Sequence, residues 1–237
     1  MRREEQREIS VPAPAVMGVL GDTHLLRADA RSRLAPVLDL FRRARVDLIL
    51  HTGDTGALGL LRALEEIAPV AAVRGNADPV ETLDALPDRV LIHAGNHTIL
   101  LLHGHLGKTA VTTARQAASD EIDLLVFGHS HQPLIDREGH TILFNPGSPT
   151  ERRWNPHFGV GMITVTDERI APDLILFTDL PPKVQEKLLR RKEVRQQTYY
   201  AGNFGSGGDA ATSADEAHAG LQQQVAQLGE IDARAIN

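Results

Sequence analysis

The stretch that decides the fold of this chain is VMGVLGDTH, residues 16–24. Its first five residues are apolar or glycine and predict a buried strand, Val16–Leu20, that ends at Gly21. The polar residues Asp22 and His24 follow directly. In open α/β sheets, ligands bind at the C-terminal ends of the strands, so these two side chains are candidates for a functional site.

The same arrangement recurs along the first half of the chain, with helical patterns between the strands. The predicted strands are Val16–Leu20, Val46–Leu50 and Val70–Val73, and the predicted helices between them are Ala28–Arg45 and Leu58–Ile67. The second strand leads to Gly53-Asp54 and the third to Gly75-Asn76. This βαβαβ order predicts parallel strands joined by right-handed crossovers.

The second half of the chain predicts a second group of strands. Gly95-Asn96 is a turn signal between two apolar runs and predicts a hairpin. The predicted elements are the strands Arg89–Ala94, Thr98–His103, Ile122–Phe127, Leu134–Asp136, Thr141–Asn145, Gly159–Val165 and Asp173–Phe177, and the helix Lys108–Ser119. Two packed sheets surrounded by helices would bury these apolar strands.

Composition favours one large domain with appended segments. The predicted boundaries are a flexible lead-in over 1–14, the main domain over 15–180, an appended helix over 181–200, and a flexible linker with a weak C-terminal helix over 201–237. The 237 residues carry a net charge of -6 and no cysteine, which excludes disulfides and thiolate-bound zinc.

The same composition limits location and partners. No apolar run approaches the ~18–20 residues that span a bilayer, and the charged start lacks a signal-peptide core, so the sequence predicts a cytoplasmic protein without membrane contact. The negative net charge gives no reason to expect nucleic acid as a partner except as a phosphodiester substrate. A homo-oligomer is left open.

Seven polar side chains follow the predicted strands and form one candidate metal site. They are Asp22, His24, Asp54, Asn76, His103, His129 and His131. Oxygen and imidazole donors suit divalent transition metals or Mg²⁺. Seven donors exceed what one ion uses while keeping positions for water and substrate, so the set favours two ions, with Asp54 as the shared carboxylate. Two ions and two carboxylates leave a net charge that attracts phosphate.

These residues occur in a motif series that resembles one known family. The series is Gly21-Asp22-Thr23-His24, Gly53-Asp54, Gly75-Asn76-Ala77-Asp78, His103-Gly104-His105 and Gly128-His129-Ser130-His131. It resembles the calcineurin-like metallophosphoesterases, and Asn145-Pro146-Gly147-Ser148 is similar to the signature of their small prokaryotic phosphodiesterase branch. The resemblance covers Val16–Phe177 and implies a four-layer α/β/β/α sandwich.

The resemblance also implies a division of the ligands between two metals. Asp22, His24 and His131 would hold the first ion, Asn76, His103 and His129 the second, and Asp54 would bridge them. The cofactors expected are two divalent ions, Mn²⁺ first, with Fe, Zn²⁺, Ni²⁺ or Mg²⁺ as alternatives. The substrate expected is a small phosphate ester.

One position departs from the family pattern. Many members have a histidine after the asparagine of the third motif that helps to protonate the leaving group, and Ala77 stands there. His105 is the candidate for that role, with orientation of a ligand as its alternative. The catalytic candidates are therefore Asp54, Asn76 and His105, and the candidates for substrate binding are Asn76, His105 and Arg152.

The expected activity is phosphodiester hydrolysis by in-line attack of a hydroxide that bridges two divalent metals. The preference for diesters comes from the branch resemblance. Two alternatives stay open: a phosphomonoesterase acting on a nucleotide or sugar phosphate, and a non-catalytic scaffold that binds proteins. The second is disfavoured because every ligand position holds a residue that can bind metal.

Overall fold

The computed structural model describes residues 5–25 and 33–178. The strands are β1 (Gln6–Val11), β2 (Ala15–Leu20), β3 (Leu48–His51), β4 (Val70–Ala72), β5 (Arg89–Ala94), β6 (His97–Leu102), β7 (Leu124–Val126), β8 (Leu134–Glu138), β9 (Thr141–Asn145), β10 (Phe158–Val165) and β11 (Ile170–Phe177). The helices are α1 (Ala35–Arg43), α2 (Gly59–Glu65), α3 (Val80–Ala85) and α4 (Ala110–Ala117).

The strands form two mixed sheets. The first has six strands in the order β1-β5-β6-β7-β9-β8, and the second has five in the order β11-β10-β2-β3-β4. In the second sheet β2, β3 and β4 run parallel, as the βαβαβ pattern predicts. In the first sheet β5 and β6 form the predicted antiparallel hairpin, and β6, β7 and β9 run parallel.

The main core lies between the two sheets, and helices cover their outer faces. Val19 and Leu50 of the second sheet and Ile92 and Leu101 of the first belong to one buried cluster. Alternate residues of the first sheet face outwards, where Leu100, Leu102 and Leu125 pack with Ala110 and Ala114 of α4. On the other side the buried Phe41 of α1 lies so close to β2 that a Cβ at Gly18 would be 2.9 Å from its ring. The four-layer α/β/β/α sandwich is therefore confirmed.

The parallel pairing places the ligand-bearing segments at one edge of each sheet. Backbone hydrogen bonds join neighbouring segments: Asp22 N donates to Gly53 O at 2.9 Å, and Gly128 N donates to His103 O at 3.0 Å. A contact between the sheets completes the arrangement, because His129 N donates to Asp22 Oδ1 at 3.1 Å. The C-terminal edges of both sheets thus meet at a single site.

The prediction of a flexible lead-in over 1–14 is wrong for part of that segment. Gln6–Val11 form β1, which pairs in parallel with β5 at the edge of the first sheet. Only Ile9 and Val11 pack against the core, so the segment lacks the continuous apolar run of a central strand. Other differences are small shifts of element ends, and α3, which the sequence does not predict.

Several predicted segments lie outside the described residues. They are the appended helix over 181–200, the linker and weak helix over 201–237, and the first part of the helix predicted at Ala28–Arg45. Among residues 5–25 and 33–178, no helix has the length and apolar character needed to cross a bilayer.

Ile9 tests the assignment of β1. We expect Ile9→Asn to lower the free energy of unfolding by about 1–2 kcal/mol, because a side chain packed against the core is replaced by a polar one. Urea denaturation of the purified protein gives the difference. Ser10→Asn on the exposed face of β1 is the matched control. Equal stability of the Ile9 variant and the wild type would show that the strand contributes nothing to the fold.

Candidate metal centre

The structure brings the seven predicted ligands to one place in two groups. One ligand atom from each member of Asp22, His24 and His131 lies within 4.8 Å of the others, and the same holds for Asp54, His103 and His129. Asn76 joins the second group, with Oδ1 3.2 Å from His103 Nε2. The grouping matches the division that the sequence resemblance implies.

Asp54 belongs to the second group and also faces the first. Its Oδ2 is 3.7 Å from His24 Nε2 and 3.4 Å from His103 Nε2. The other oxygen, Oδ1, accepts a hydrogen bond of 2.7 Å from Ala77 N, which fixes the orientation of the carboxylate. One carboxylate oxygen therefore faces an imidazole of each group, the position expected of a shared ligand.

Five of the seven candidates have a left-handed backbone, with φ of 52° at Asp22, 49° at His24, 51° at Asp54, 66° at His129 and 57° at His131. Among the other non-glycine residues that the structure describes, only Arg45 and Arg153 share this conformation. It is strained for such residues and tends to persist at functional sites. Packing at the site is also tight: a Cβ at Gly75 would lie 2.1 Å from Asp54 Oδ1, so only glycine fits there.

Backbone carbonyls orient two of the imidazoles. His103 Nδ1 donates to Thr52 O at 2.7 Å, and His131 Nδ1 donates to Glu151 O. These bonds place the Nδ1 proton, so the Nε2 lone pairs point into the site, as in metal-binding histidines. His24 Nε2 and His131 Nε2 lie 3.2 Å apart.

The charges at the site favour cation binding. Burial raises the pKa of Asp22 to about 7. Burial also disfavours the charged form of Asp54, but the hydrogen bond and the charge of His103, the hydrogen bond from Ala77 N and the charge of His24 together outweigh burial and lower the pKa of Asp54 to about 2. Burial opposes protonation of His103, yet the bond to Asp54 and the charges of both carboxylates raise the pKa of that imidazole. Without metal, a proton on His103 therefore supplies the positive charge that Asp54 requires.

Unsatisfied polar atoms support the fit to metal ions. Asp22 Oδ2 and His129 Nδ1 are buried and have no hydrogen-bond partner among the described residues. Buried polar atoms of this kind cost free energy unless a ligand or an ion meets them. Together with the mixed oxygen and nitrogen donor set, they make the site suitable for divalent cations.

The Asn145-Pro146-Gly147-Ser148 motif ties the ligand segments together. Asn145 Nδ2 donates to Gly128 O at 2.9 Å, next to His129. Ser148 Oγ donates to Asp22 O at 2.8 Å, and Thr150 Oγ1 donates to Thr23 O at 2.8 Å. The sequence marks this motif without indicating its role, which is to hold segments of both sheets in place.

His51 and Asp78 support the site from behind. His51 is fully buried, its Nδ1 accepts from Gly53 N at 3.2 Å, and burial lowers its pKa to about 3. Asp78 accepts from Gly75 N at 2.7 Å and from Gly56 N at 2.9 Å. Both side chains hold the backbone of the Asp54 and Asn76 loops rather than facing the centre.

His105 lies beside the second group. Its ring centroid is 5.3 Å from that of His103 and 6.4 Å from that of His129, and its buried Nδ1 has no hydrogen-bond partner among the described residues. Burial, followed by the charge of His103, lowers the pKa of His105. The imidazole is therefore neutral at pH 7, which disfavours a role as a charged acid.

Arg152 is engaged in local contacts. Its Nη1 donates to Pro156 O at 2.9 Å, and its Cζ lies 5.4 Å from the centre of the Phe158 ring. Sequence reasoning did not identify the preceding residue, Glu151, whose Oε2 lies 3.6 Å from His24 Nε2. Its position three residues after Ser148 was the available signal.

Comparisons with known proteins agree with this geometry. Residues 16–168 match the model of the calcineurin-like phosphoesterase superfamily domain. A probable metallophosphoesterase of Methanothermobacter thermautotrophicus is 33% identical over 163 residues, 68% of this chain and 91% of its own. The phosphodiesterase YfcE of Escherichia coli is 30% identical over 137 residues, 47% of this chain and 69% of its own. The solved structure of an archaeal phosphodiesterase shares the fold, with a TM-score of 0.55 and 18% identity over 67% of this chain and 99% of its own.

The raised pKa of Asp22 predicts a pH-dependent stability of the metal-free protein. Its pKa rises from 3.8 to about 7, so between these values the folded state keeps a proton that the unfolded state has lost. The contribution of Asp22 to the free energy of unfolding therefore falls as pH rises through this window. In EDTA, we expect Asp22→Asn to gain stability relative to wild type from pH about 4 to 7, by more than about 1 kcal/mol.

Urea denaturation of both proteins across this pH range measures the difference. Histidines with lowered pKa values, such as His51 and His131, give the opposite slope, but they do so in both proteins and cancel in the comparison. Mn²⁺ should stabilise the wild type and remove the advantage of the variant. Parallel stability curves in EDTA would show that Asp22 does not titrate in this window.

Proposed function

The chain belongs to the calcineurin-like phosphoesterase superfamily, and we propose that it is a phosphodiesterase that uses two divalent metal ions. The coarser part of this statement, a metal-dependent hydrolase of phosphate esters, follows from the family. The number of metals, their ligands and the diester preference are the proposal. The cytoplasmic location and a homo-oligomer stay predictions from the sequence.

The observation that supports the proposal is that Asp54, which belongs with His103 and His129 to one group of metal-binding side chains, also faces His24 of the other group. We assign Asp22, His24 and His131 to one ion and Asn76, His103 and His129 to the other, with Asp54 shared. Mn²⁺ is the first choice, and Fe, Zn²⁺, Ni²⁺ and Mg²⁺ are alternatives, because mixed oxygen and imidazole sites accept all of them.

When bound, the two cations would activate a shared water as the hydroxide for in-line attack on phosphorus and neutralise charge on the phosphoryl oxygens. The chain's own part is to hold the donors in fixed positions. Thr52 O and Glu151 O orient two imidazoles, and Ala77 N orients Asp54. We infer that Asn76, whose Oδ1 lies beside His103, contacts a phosphoryl oxygen through its amide.

The diester preference has support from relatives and an explicit alternative. The E. coli relative of 30% identity is named a phosphodiesterase. Many members of the family have a histidine at the position of Ala77 that assists the leaving group. The small phosphodiesterase branch that the sequence resembles lacks that histidine, as this chain does. A phosphomonoesterase with the same centre is the main alternative, and a scaffold without activity is the weaker one.

Asp54 tests the two-metal proposal. We expect the purified protein with Mn²⁺ to hydrolyse bis-p-nitrophenyl phosphate and to lose activity in EDTA. Asp54→Asn should lower kcat by about a hundredfold or more, because the shared ligand loses its charge. Release of p-nitrophenolate gives the rates, and metal content measured by mass spectrometry shows whether one or two ions are lost.

The matched control is Asp120→Asn, an exposed acid in the segment before β7, which should behave as wild type. Hydrolysis of p-nitrophenyl phosphate without hydrolysis of the diester would favour the monoesterase. Metal binding with no hydrolysis of either compound would favour the scaffold.

His105 can act by hydrogen bonding or by proton transfer, and its lowered pKa favours the first. We therefore expect His105→Gln to keep kcat within about threefold of wild type, and His105→Ala to lower it about tenfold or more. The measurement uses two diesters whose leaving groups differ in basicity. If both variants lose more activity on the more basic leaving group, His105 donates a proton after all.

A further inference from the structure

The segment after the Ser148 motif forms a turn that is fixed to a candidate metal ligand at both ends. Asn155 N donates to Arg152 O at 2.9 Å, which closes a β-turn over Arg152–Asn155. Before the turn, Glu151 O accepts from the ring of His131, and at its end Asn155 Nδ2 donates to His131 O at 2.7 Å. The tip of the turn, Arg153 and Trp154, therefore stands beside the first metal group.

Arg153 occupies the second position of this turn with φ of 50°. A positive φ at that position is normally supplied by glycine or asparagine, so an arginine there is strained. The side chain is exposed, in contrast to Arg152, which is bound to Pro156 O. The exposed guanidinium is therefore carried on a turn that hydrogen bonds fix to His131 on both sides.

Trp154 presents an indole ring to solvent next to that charge. It is the only tryptophan of the chain, and 95% of its surface is exposed. The other large hydrophobic residues exposed in the described part of the chain are Val80 and Leu106, and each follows a ligand-bearing segment. The three exposed large hydrophobic side chains of the described residues therefore all lie in segments that follow candidate metal ligands, which favours a substrate with an apolar part.

Resting on the proposed phosphodiesterase function, we propose that Arg153 and Trp154 recognise a small phosphodiester that carries a nucleobase. The guanidinium of Arg153 binds the phosphate, and the indole of Trp154 stacks on the base. Arginine pairs with phosphate through two parallel hydrogen bonds, and aromatic side chains stack on any base. The assignment replaces Arg152 by its neighbour as the phosphate-binding arginine.

The chemistry of the surface favours this ligand over two others. A long nucleic acid requires a continuous basic track, whereas the chain has a net charge of -6. A lipid chain requires an extended apolar surface, whereas the turn offers a single exposed indole ring. A mononucleotide ester fits one arginine and one aromatic ring.

Two diesters with the same leaving group test the inference. Methyl p-nitrophenyl phosphate has no base, and the p-nitrophenyl ester of thymidine 5′-phosphate has one. We expect Trp154→Ala to lower the preference for the thymidine ester, the ratio of the two kcat/KM values, by about tenfold. Trp154→Phe should keep most of that preference. Arg153→Gly should raise KM for both esters by about tenfold or more, because both share the phosphate.

Arg153→Gly also removes the strained backbone, so the variant should be at least as stable as wild type while it binds substrate less well. The matched control is Arg45→Gly, which relieves a similar φ of 51° in the segment before β3, at the opposite end of that strand from Asp54. It should leave both kcat/KM values unchanged. Loss of stability in Arg153→Gly without a change in KM would overturn the role of the guanidinium.

The sole tryptophan gives a second readout that needs no variant. In the Mn²⁺-loaded wild type, thymidine 5′-phosphate should quench the fluorescence of Trp154, and methyl phosphate should not. No quenching by the nucleotide, or an unchanged ester preference in Trp154→Ala, overturns the inference. Inactivity of the wild type on both esters counts instead against the proposed phosphodiesterase function, so the two failures are distinct.

Discussion

Two carboxylates buried side by side require positive charge, and the arrangement of the site follows from that requirement. Asp22 and Asp54 are almost completely buried at the edge where the two sheets meet. Without a cation, one of them takes up a proton at unusually high pH and the other binds an imidazole whose pKa is raised. Divalent ions bound at the proposed centre would replace both arrangements, and metal binding would then be coupled to proton release and to the stability of the fold.

This requirement explains why the backbone around the ligands is strained. The carboxylates and imidazoles must approach one another from segments of both sheets, and five candidate ligands reach their positions only with left-handed backbone. The hydrogen bonds of Asn145, Ser148 and Asp78 to neighbouring backbone groups hold that conformation. The donors are thus fixed before metal binds, so little ordering entropy opposes binding.

Much of the fold and most residues of the candidate site could be predicted, because both follow from local patterns in the sequence. Apolar runs that end in Gly-Asp, Gly-Asn or Gly-His indicate where a strand ends and which residue after it is a candidate metal ligand. β1 was missed because an edge strand with only Ile9 and Val11 packed against the core has no such run. The choice between Arg152 and Arg153 depends on the sign of φ and on a bond to Pro156 O, neither of which a sequence displays. The carbonyl partners Thr52 and Glu151 are equally hidden, because any residue supplies a carbonyl.

The candidate metal ligands and the turn that carries Arg153 and Trp154 differ in how strongly the surrounding structure constrains them. A hydrogen bond joins Asp22 and His129 between the two sheets, and Ser148 holds the backbone of Asp22, so a change there disturbs charge, strain and packing together. The turn is attached to the centre through the ring and the carbonyl of His131, and its two tip side chains are exposed. Substitutions at the tip can therefore alter what the site binds while the donors keep their places. Under the proposed function, chemistry at the centre and selectivity at the turn can therefore change independently, because function resides in sites carried on a common fold.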